Sequence, residues 1–155
     1  MISPERLRQN PFFGGLTADQ LRSIAMIAIE ETHPSGTVLF EKGQPAEALY
    51  FLLEGCVDLY FTVSDSPPLD FPDGIPVGEV NPGEPFSISA LIEPHILTST
   101  ARLSRPSRVI KIETTALFAL FKKDKRLAFL LTQQAARAAL ERLEATRVQL
   151  AAAWA

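Results

Sequence analysis

The fold is decided by residues 49–57, which have the sequence LYFLLEGCV. The first five are apolar without alternation, as in a strand that is buried on both of its faces. Glu54 and Gly55 then form a tight turn, because glycine tolerates the positive φ that such turns commonly need. This stretch therefore predicts a buried strand that turns directly into a second strand beginning near Cys56.

The sequence around this stretch, residues 37–112, carries further short strands. Residues 56–63 alternate, with one apolar face formed by Val57, Leu59, Phe61 and Val63. Shorter strand patterns occur at 38–41, 77–80, 100–103 and 108–112. Residues 64–76, which hold four prolines and three aspartates, predict a long exposed hairpin loop. Many short strands separated by turns favour a sandwich or a barrel.

Helical patterns flank these strands. Residues 11–31 predict an N-terminal helix, in which Thr17 and Gln20 form a capping box. Residues 115–155 predict two C-terminal helices, and Asp124 is expected to cap the longer one. The predicted fold class is mainly β with flanking helices. It is a single domain, 1–155, built on an antiparallel double-stranded β-helix (a jelly-roll-like barrel) at 37–113.

Composition limits the class of protein. No apolar run approaches the ~20 residues that span a bilayer, and the N-terminus lacks the pattern of a secretory signal. The single cysteine, Cys56, provides no disulfide framework. We expect a cytoplasmic protein with no membrane contact. Residues 122–155 hold seven basic and three acidic residues, and this basic end either steers an anionic partner or keeps an exposed helix solvated.

Three stretches resemble, in order and spacing, the cyclic-nucleotide-binding domain, which is the sensor module of the catabolite activator family and of cyclic-nucleotide-dependent kinases. They are residues 36–44 (GTVLFEKGQ), 49–57 (LYFLLEGCV) and 80–86 (VNPGEPF). The resemblance extends from residue 11 to about residue 131. It implies the jelly-roll fold and a regulatory module.

The same resemblance implies a ligand loop, the cassette, directly after Phe86. In the family the cassette has the pattern Phe-Gly-Glu-x-Ala-Leu, and an arginine follows about ten residues later. Backbone amides hold the cyclic phosphate, the glutamate binds the ribose hydroxyl, and the arginine pairs with the phosphate charge. In this chain Phe86, Ala90 and Leu91 match the pattern.

Three positions of the cassette depart from the family. Ser87 stands at the glycine position, Ile88 at the glutamate position and Thr98 at the arginine position. Loss of one partner of a desolvated charge pair costs on the order of 2–5 kcal/mol, roughly 30- to several-thousand-fold in affinity. An ordinary cyclic-nucleotide pocket is therefore not expected.

The altered cassette still offers hydroxyl groups beside a helix start and apolar walls, which suits a neutral or weakly anionic small molecule. The predicted ligand-binding residues are Phe86, Ser87, Ile88, Ser89, Ala90, Leu91, Thr98, Ser99 and Thr100. Ile92 is expected to line the same pocket. The alternative is that the hydroxyl groups cap local backbone and that the pocket has closed.

The C-terminal helix carries a coiled-coil spacing. From residue 129 onward apolar residues recur at alternating steps of four and three, and Gln133 and Arg147 interrupt the row and can fix its register. The predicted dimer helix uses Phe129, Ala136, Leu140, Leu143, Leu150 and Trp154. The resembling family usually dimerises through this helix. The alternative is a helix that folds back on its own barrel.

These observations predict a non-enzymatic regulatory sensor that signals through its C-terminal helix as a homodimer. His33 and His95 do not assemble a catalytic triad or a metal site. No cofactor is certain, and the ligand is a cyclic nucleotide or another small molecule. Since the sequence stops at Ala155 without the helix-turn-helix of DNA-reading members, no direct DNA binding is expected. The alternatives are a ligand-free interaction or dimerisation module, and ordinary binding of cyclic AMP or cyclic GMP by the altered cassette.

Overall fold

The computed structural model describes residues 2–63, 72 and 74–155. The helices are α1 (Pro4–Arg8), α2 (Ala18–Ile27), α3 (Thr114–Lys123) and α4 (Lys125–Trp154), with two 3₁₀ helices at Pro11–Phe13 and Ile88–Leu91. The strands are β1 (Ala28–His33), β2 (Val38–Phe40), β3 (Ala48–Glu54), β4 (Val57–Phe61), β5 (Ile75–Val80), β6 (Pro85–Phe86), β7 (Thr100–Leu103) and β8 (Ser107–Glu113).

The strands form two four-stranded sheets in which every pairing is antiparallel. The first sheet has the order β1-β8-β3-β6 and the second has the order β2-β7-β4-β5. This arrangement confirms the predicted jelly-roll fold with flanking helices. The two sheets do not close into a barrel, because among the described strands no edge of one sheet pairs continuously with an edge of the other.

Strand β3 is the centre of the fold because both of its faces are buried. Leu49 and Phe51 face the helices, whereas Tyr50 and Leu52 face the second sheet. This burial confirms the prediction made from the continuous apolar run. The helical side of the core is closed by Phe13, Leu21, Ile24, Leu117, Leu127 and Leu131.

The predicted N-terminal helix at 11–31 is wrong in its limits. Its capping box is present, with Gln20 N donating to Thr17 Oγ1 over 3.2 Å and Thr17 N donating to Gln20 Oε1 over 2.9 Å. The helix, however, ends at Ile27, and Ala28–His33 is strand β1. The physical reason is the ladder with β8, which pairs β1 over its whole length. Arg108 supports that ladder by donating to Glu30 over 2.7 Å.

The C-terminal helices lie where the sequence predicted them. Asp124 caps α4, accepting a hydrogen bond from Leu127 N at Oδ1 over 3.0 Å. Its Oδ2 accepts from Gln20 Nε2 over 3.1 Å, which ties α4 to α2. These hydrogen bonds lower the pKa of Asp124, the one from the Leu127 amide most of all. Within the described chain, no helix is both long enough and apolar enough to cross a bilayer.

The hairpin loop predicted at 64–76 falls mostly outside the described residues, which omit 64–71 and 73. Its last two residues, Ile75 and Pro76, belong instead to strand β5. Strand β4 ends at Phe61 rather than at Val63. The predicted apolar row of this strand therefore runs off the sheet, and Val63 is exposed.

The turn between β3 and β4 requires a glycine. Gly55 has a φ of +103°, and a Cβ atom there would lie 2.0 Å from Ser107 Oγ. We expect Gly55→Ala to lower the free energy of unfolding by about 2–5 kcal/mol, because about 1–2 kcal/mol of backbone strain adds to about 1–3 kcal/mol of overpacking. Chemical denaturation measures this loss.

Gly43→Ala is the matched control for that measurement. Gly43 has a φ of +90° but nothing within 4 Å of the added Cβ, so only the backbone strain applies. We expect a loss of about 1–2 kcal/mol. Equal losses in the two variants would contradict the close approach at Ser107.

Candidate functional site

A cavity of about 380 Å³ lies between the cassette and helix α4. We call it the cassette cavity. Residues 86–89 and 92–94 form one side of its wall, residues 96–99 another, and Phe40, Leu59, Ala139 and Arg142 complete it. Its volume falls at the lower end of the range of small-molecule pockets, and its mostly apolar wall with a few polar groups is typical of them.

Phe86 anchors the start of the cassette to the core. It is fully buried, pairs with Tyr50 across β6 and β3, and stacks on the Tyr50 ring at 5.2 Å between centroids. The Phe40 ring also stacks on the Phe86 ring, with 6.1 Å between the two centroids. Burial, with a smaller contribution from nearby carboxylates, raises the pKa of Tyr50 to about 12. Packing in the core therefore fixes the position of Phe86, which also borders the cavity.

Ser87 occupies a turn in which the backbone is left-handed. Its φ of 60° and ψ of 36° lie in the left-handed region. The hydroxyl group donates to the Ala48 carbonyl over 2.7 Å, and the side chain is buried. Ser87 borders the cavity, but its hydroxyl group already serves the backbone. Ser87 therefore fits the alternative in which a hydroxyl group of the cassette bonds to backbone and is not free for a ligand.

Two residues of the predicted site face the core and not the cassette cavity. Ala90 packs with Ala46 and Leu97, and Leu91 packs against the helical side of the core. Leu91, which was expected to line the pocket, does not border the cassette cavity, because a 3₁₀ helix of four residues turns that side chain inward. The Ala90 carbonyl instead accepts a hydrogen bond from His95 Nδ1 over 2.9 Å.

The remaining cassette hydroxyl groups divide into two kinds. Thr100 Oγ1 accepts from Lys42 N over 3.0 Å and does not border the cavity. Ser89, Thr98 and Ser99 border it, and no hydrogen bond from their hydroxyl groups to another described residue is present. These three hydroxyl groups are available to a ligand.

The wall of the cavity includes Ile88 and Thr98, two of the predicted ligand-binding residues. The two charged side chains in the wall are Glu93, which is exposed, and Arg142, which is partly buried. Neither was predicted from the sequence.

Arg142 reaches the site from helix α4. Its Nη2 donates to the carbonyl of Pro85, the residue that precedes Phe86. Burial lowers the pKa of Arg142, an effect that the nearby Glu84 and Glu141 only partly oppose. A sequence signal for this residue existed, since Leu131, Ala135, Ala139 and Arg142 recur at steps of four and three, as on one helical face.

The predicted dimer seam lies on another face of α4. Phe129, Ala136, Leu140, Leu143, Leu150 and Trp154 are all exposed. Leu127, Leu131 and Ala135 are buried and hold the first half of α4 against the core. The dimer helix and the helix packed on its own core, the two alternatives for α4, thus use different faces. Packing on the core leaves the seam uncovered in the described chain.

The one group of described side chains with the geometry to hold a metal ion is Cys56, Asp58 and Glu79. Their ligand atoms lie within 4.8 Å of one another where β4 pairs with β5. None of the three borders the cassette cavity. A cluster of this kind is common on protein surfaces without an ion, and we assign it no role.

Comparison with known proteins identifies related domains. A sequence model of the family described as "Cyclic nucleotide-binding domain" matches residues 30–124. The chain is 38% identical to a protein from Geobacter metallireducens assigned to the cyclic nucleotide-binding proteins, and the alignment covers 92% of this chain and 99% of that one with a TM-score of 0.80.

More distant solved structures share the fold. The N-terminal domain of a transcriptional regulator from Streptomyces coelicolor is 25% identical, covers 89% of this chain and 92% of its own, and has a TM-score of 0.67. The sensor domain of the transcriptional regulator DNR from Pseudomonas aeruginosa is 20% identical, covers 87% and 91%, and also has a TM-score of 0.67.

One curated protein, Glutaminase 1 from Bradyrhizobium diazoefficiens, matches a shorter stretch. The identity is 32% over 87 residues, which is 56% of this chain but 13% of that protein. The chain thus spans a small part of the length of this curated relative.

The geometry at Ser87 makes a prediction about stability. Ser87→Ala removes the hydrogen bond to Ala48, and the backbone at position 87 stays in the left-handed region. Because the hydrogen bond is lost, we expect the free energy of unfolding to fall by about 1–3 kcal/mol. Ser87→Gly loses the same bond but tolerates that backbone, so we expect it to be about 1 kcal/mol more stable than the alanine variant. Denaturant unfolding compares the two, and an alanine variant as stable as the glycine variant would refute the argument.

Proposed function

Because the chain belongs to the cyclic nucleotide-binding domain family, we propose that it is a regulatory sensor module whose cassette cavity binds a small molecule and whose helix α4 transmits the binding. The family match and the similarity to sensor domains support the regulatory class. The interpretation of the cassette as altered rests on its departure from the pattern of the resembling family, and the role of α4 rests on the geometry of the site. A cytoplasmic location stays a prediction.

The observation that carries this proposal is the shared wall of the cavity. The cassette and helix α4 border the same space of about 380 Å³. A ligand in that space contacts Ala139 and Arg142 directly, so its binding free energy depends on where α4 lies. A ligand shifts a conformational equilibrium only through such a differential interaction. Binding in the cavity therefore favours one position of the helix.

The substituted cassette positions argue against ordinary cyclic-nucleotide binding as the main activity. Ile88 removes the acceptor for a ribose hydroxyl, and Thr98 removes a charge partner for the phosphate. The hydroxyl groups of Ser89, Thr98 and Ser99 and the apolar wall remain. These groups favour a ligand with a larger apolar part and fewer polar contacts than a nucleotide. Binding of cyclic AMP or cyclic GMP by the altered cassette is the alternative that the first experiment below tests.

A second copy of the chain is the partner that we propose for the seam on α4. The seam has exposed apolar residues over four heptads, and a heptad row is self-complementary when two identical helices lie side by side. Gln133 and Arg147 are also exposed in that row and can fix the register of the pair. In this arrangement the dimer seam and the wall of the cavity lie on neighbouring faces of the same helix, since Ala139 is three residues from Ala136 and four from Leu143.

Mass spectrometry of the natively purified protein tests the small-molecule ligand. We expect a bound metabolite, and no thermal shift with millimolar cyclic AMP or cyclic GMP. At 100 times its dissociation constant, an authentic ligand stabilises the protein by about 2.7 kcal/mol, which raises Tm by about 5–11 °C.

Ala139→Phe places a ring in the wall of the cavity and is the control variant for that experiment. We expect it to remove both the bound metabolite and the thermal shift. A wild-type protein that carries no metabolite would contradict the sensor proposal and favour the ligand-free interaction module. A large shift with cyclic AMP that Ala139→Phe removes would favour ordinary nucleotide binding.

Leu140→Glu tests the dimer seam. Leu140 is 67% exposed in the single chain, and in the dimer the glutamate would be buried against its own copy. We expect the dissociation constant of the dimer to rise at least ~30-fold, equivalent to about 2 kcal/mol, as measured by size exclusion with light scattering over a concentration series.

Val148→Glu is the matched control, because Val148 is 61% exposed on α4 but lies outside the seam. We expect it to leave the oligomeric state unchanged. A wild-type monomer at high concentration would rule out the seam as a dimer interface, and equal effects of the two substitutions would show that the seam residues have no special part.

A further inference from the structure

We propose that Arg142 is the anion-binding residue of the cassette cavity, and that the ligand is a small organic anion with an apolar body. The inference rests on the proposed function, because it assumes that the cavity binds a small molecule. The residue that pairs with the charge of the ligand then lies on helix α4 and not in the cassette.

The first support is the set of partners that Arg142 has. A guanidinium group has five N–H donors in a fixed planar arrangement. In the described part of the chain, the hydrogen-bond partner of the Arg142 guanidinium group is the Pro85 carbonyl, and no carboxylate forms an ion pair with that group. Glu84 and Glu141 act on it only at longer range. Most of its donors are therefore available to a ligand.

The second support is the placement of charge in the cavity. Arg142 is partly buried, whereas Glu93 is exposed at the rim. Of these two charged side chains, the less exposed one is therefore the positive one. A guanidinium group that has lost part of its hydration is stabilised strongly by a carboxylate or phosphate that it can bind through two parallel hydrogen bonds. An uncharged ligand would leave the arginine with only the Pro85 carbonyl.

The third support is the rest of the wall, which suits an apolar body beside the charge. Phe40, Leu59, Ile88 and Leu97 provide hydrocarbon and aromatic surface. The volume of about 380 Å³ limits the ligand to a molecule of small-metabolite size. The hydroxyl groups of Ser89 and Ser99 can bind a further polar atom of the ligand.

This arrangement differs from a cassette arginine in its consequence for signalling. Position 98 belongs to the segment that leads into β7, whereas Arg142 belongs to α4. An anion bound by the remaining donors of Arg142 attracts the guanidinium group and so displaces it relative to the Pro85 carbonyl. The charge of the ligand therefore acts directly on the helix that we propose as the transmitter, and it changes the contact between that helix and the start of the cassette.

Isothermal titration calorimetry with 1-naphthoate and 1-naphthamide, two probes of the same shape that differ in charge, tests the inference. We expect the wild-type protein to bind the naphthoate at least ~10-fold more tightly than the amide. In Arg142→Gln we expect the affinity for the naphthoate to fall about 30- to 1,000-fold, while the affinity for the amide changes little.

Two further variants make the result specific. Arg142→Lys keeps the charge without the planar arrangement of donors, and we expect it to retain part of the preference for the acid. Arg137→Gln removes an exposed arginine from the same helix, outside the cassette cavity, and we expect wild-type affinities. Thermal unfolding of each variant shows that it is folded.

The outcomes separate this inference from the proposed function. Naphthoate binding by Arg142→Gln with wild-type affinity would overturn the role of Arg142. Equal binding of the acid and amide by the wild-type protein, or binding of neither, would overturn the anionic class of ligand. The small-molecule function is decided independently by the metabolite found in the natively purified protein.

Discussion

The burial of β3 on both faces is the constraint on which the rest of the structure depends. Leu49 and Phe51 require a layer of helices, and Tyr50 and Leu52 require a second sheet. Side chains that are removed from water on both sides contribute about 1.5–3 kcal/mol each, so neither layer can be lost without a large loss of stability. The two layers then determine where the cassette and helix α4 lie.

The cassette follows from this constraint because its first strand is paired with β3. Phe86 faces Tyr50 in that pairing and is buried in the inter-sheet core, and Ser87 then turns in the left-handed region with its hydroxyl group on Ala48. These contacts hold the loop in place whatever ligand it binds. The scaffold is thus stabilised by packing, and the residues at positions 88 and 98 are free to differ in chemistry.

Helix α4 combines three surfaces. Its first half closes the core through Leu127 and Leu131, its middle borders the cavity with Ala139 and Arg142, and another face exposes the apolar seam. A rigid helix transmits a displacement at one face to the others. A ligand that draws Arg142 away from the Pro85 carbonyl would therefore act on the seam through a single element, which is the physical basis for the proposed signalling.

Local chemistry in the sequence was enough to predict the capping box at Thr17, the glycine turn at Gly55 and the cap at Asp124, because each depends on residues within a few positions of one another. The strand β1, by contrast, exists because β8 pairs with residues 28–33, and its own sequence also fits the end of a helix. The use of each hydroxyl group was likewise decided by distant partners, such as Ala48 for Ser87. Arg142 lies 57 positions from Pro85 in the sequence, and only the packing of α4 on the core brings the two residues together at the cassette.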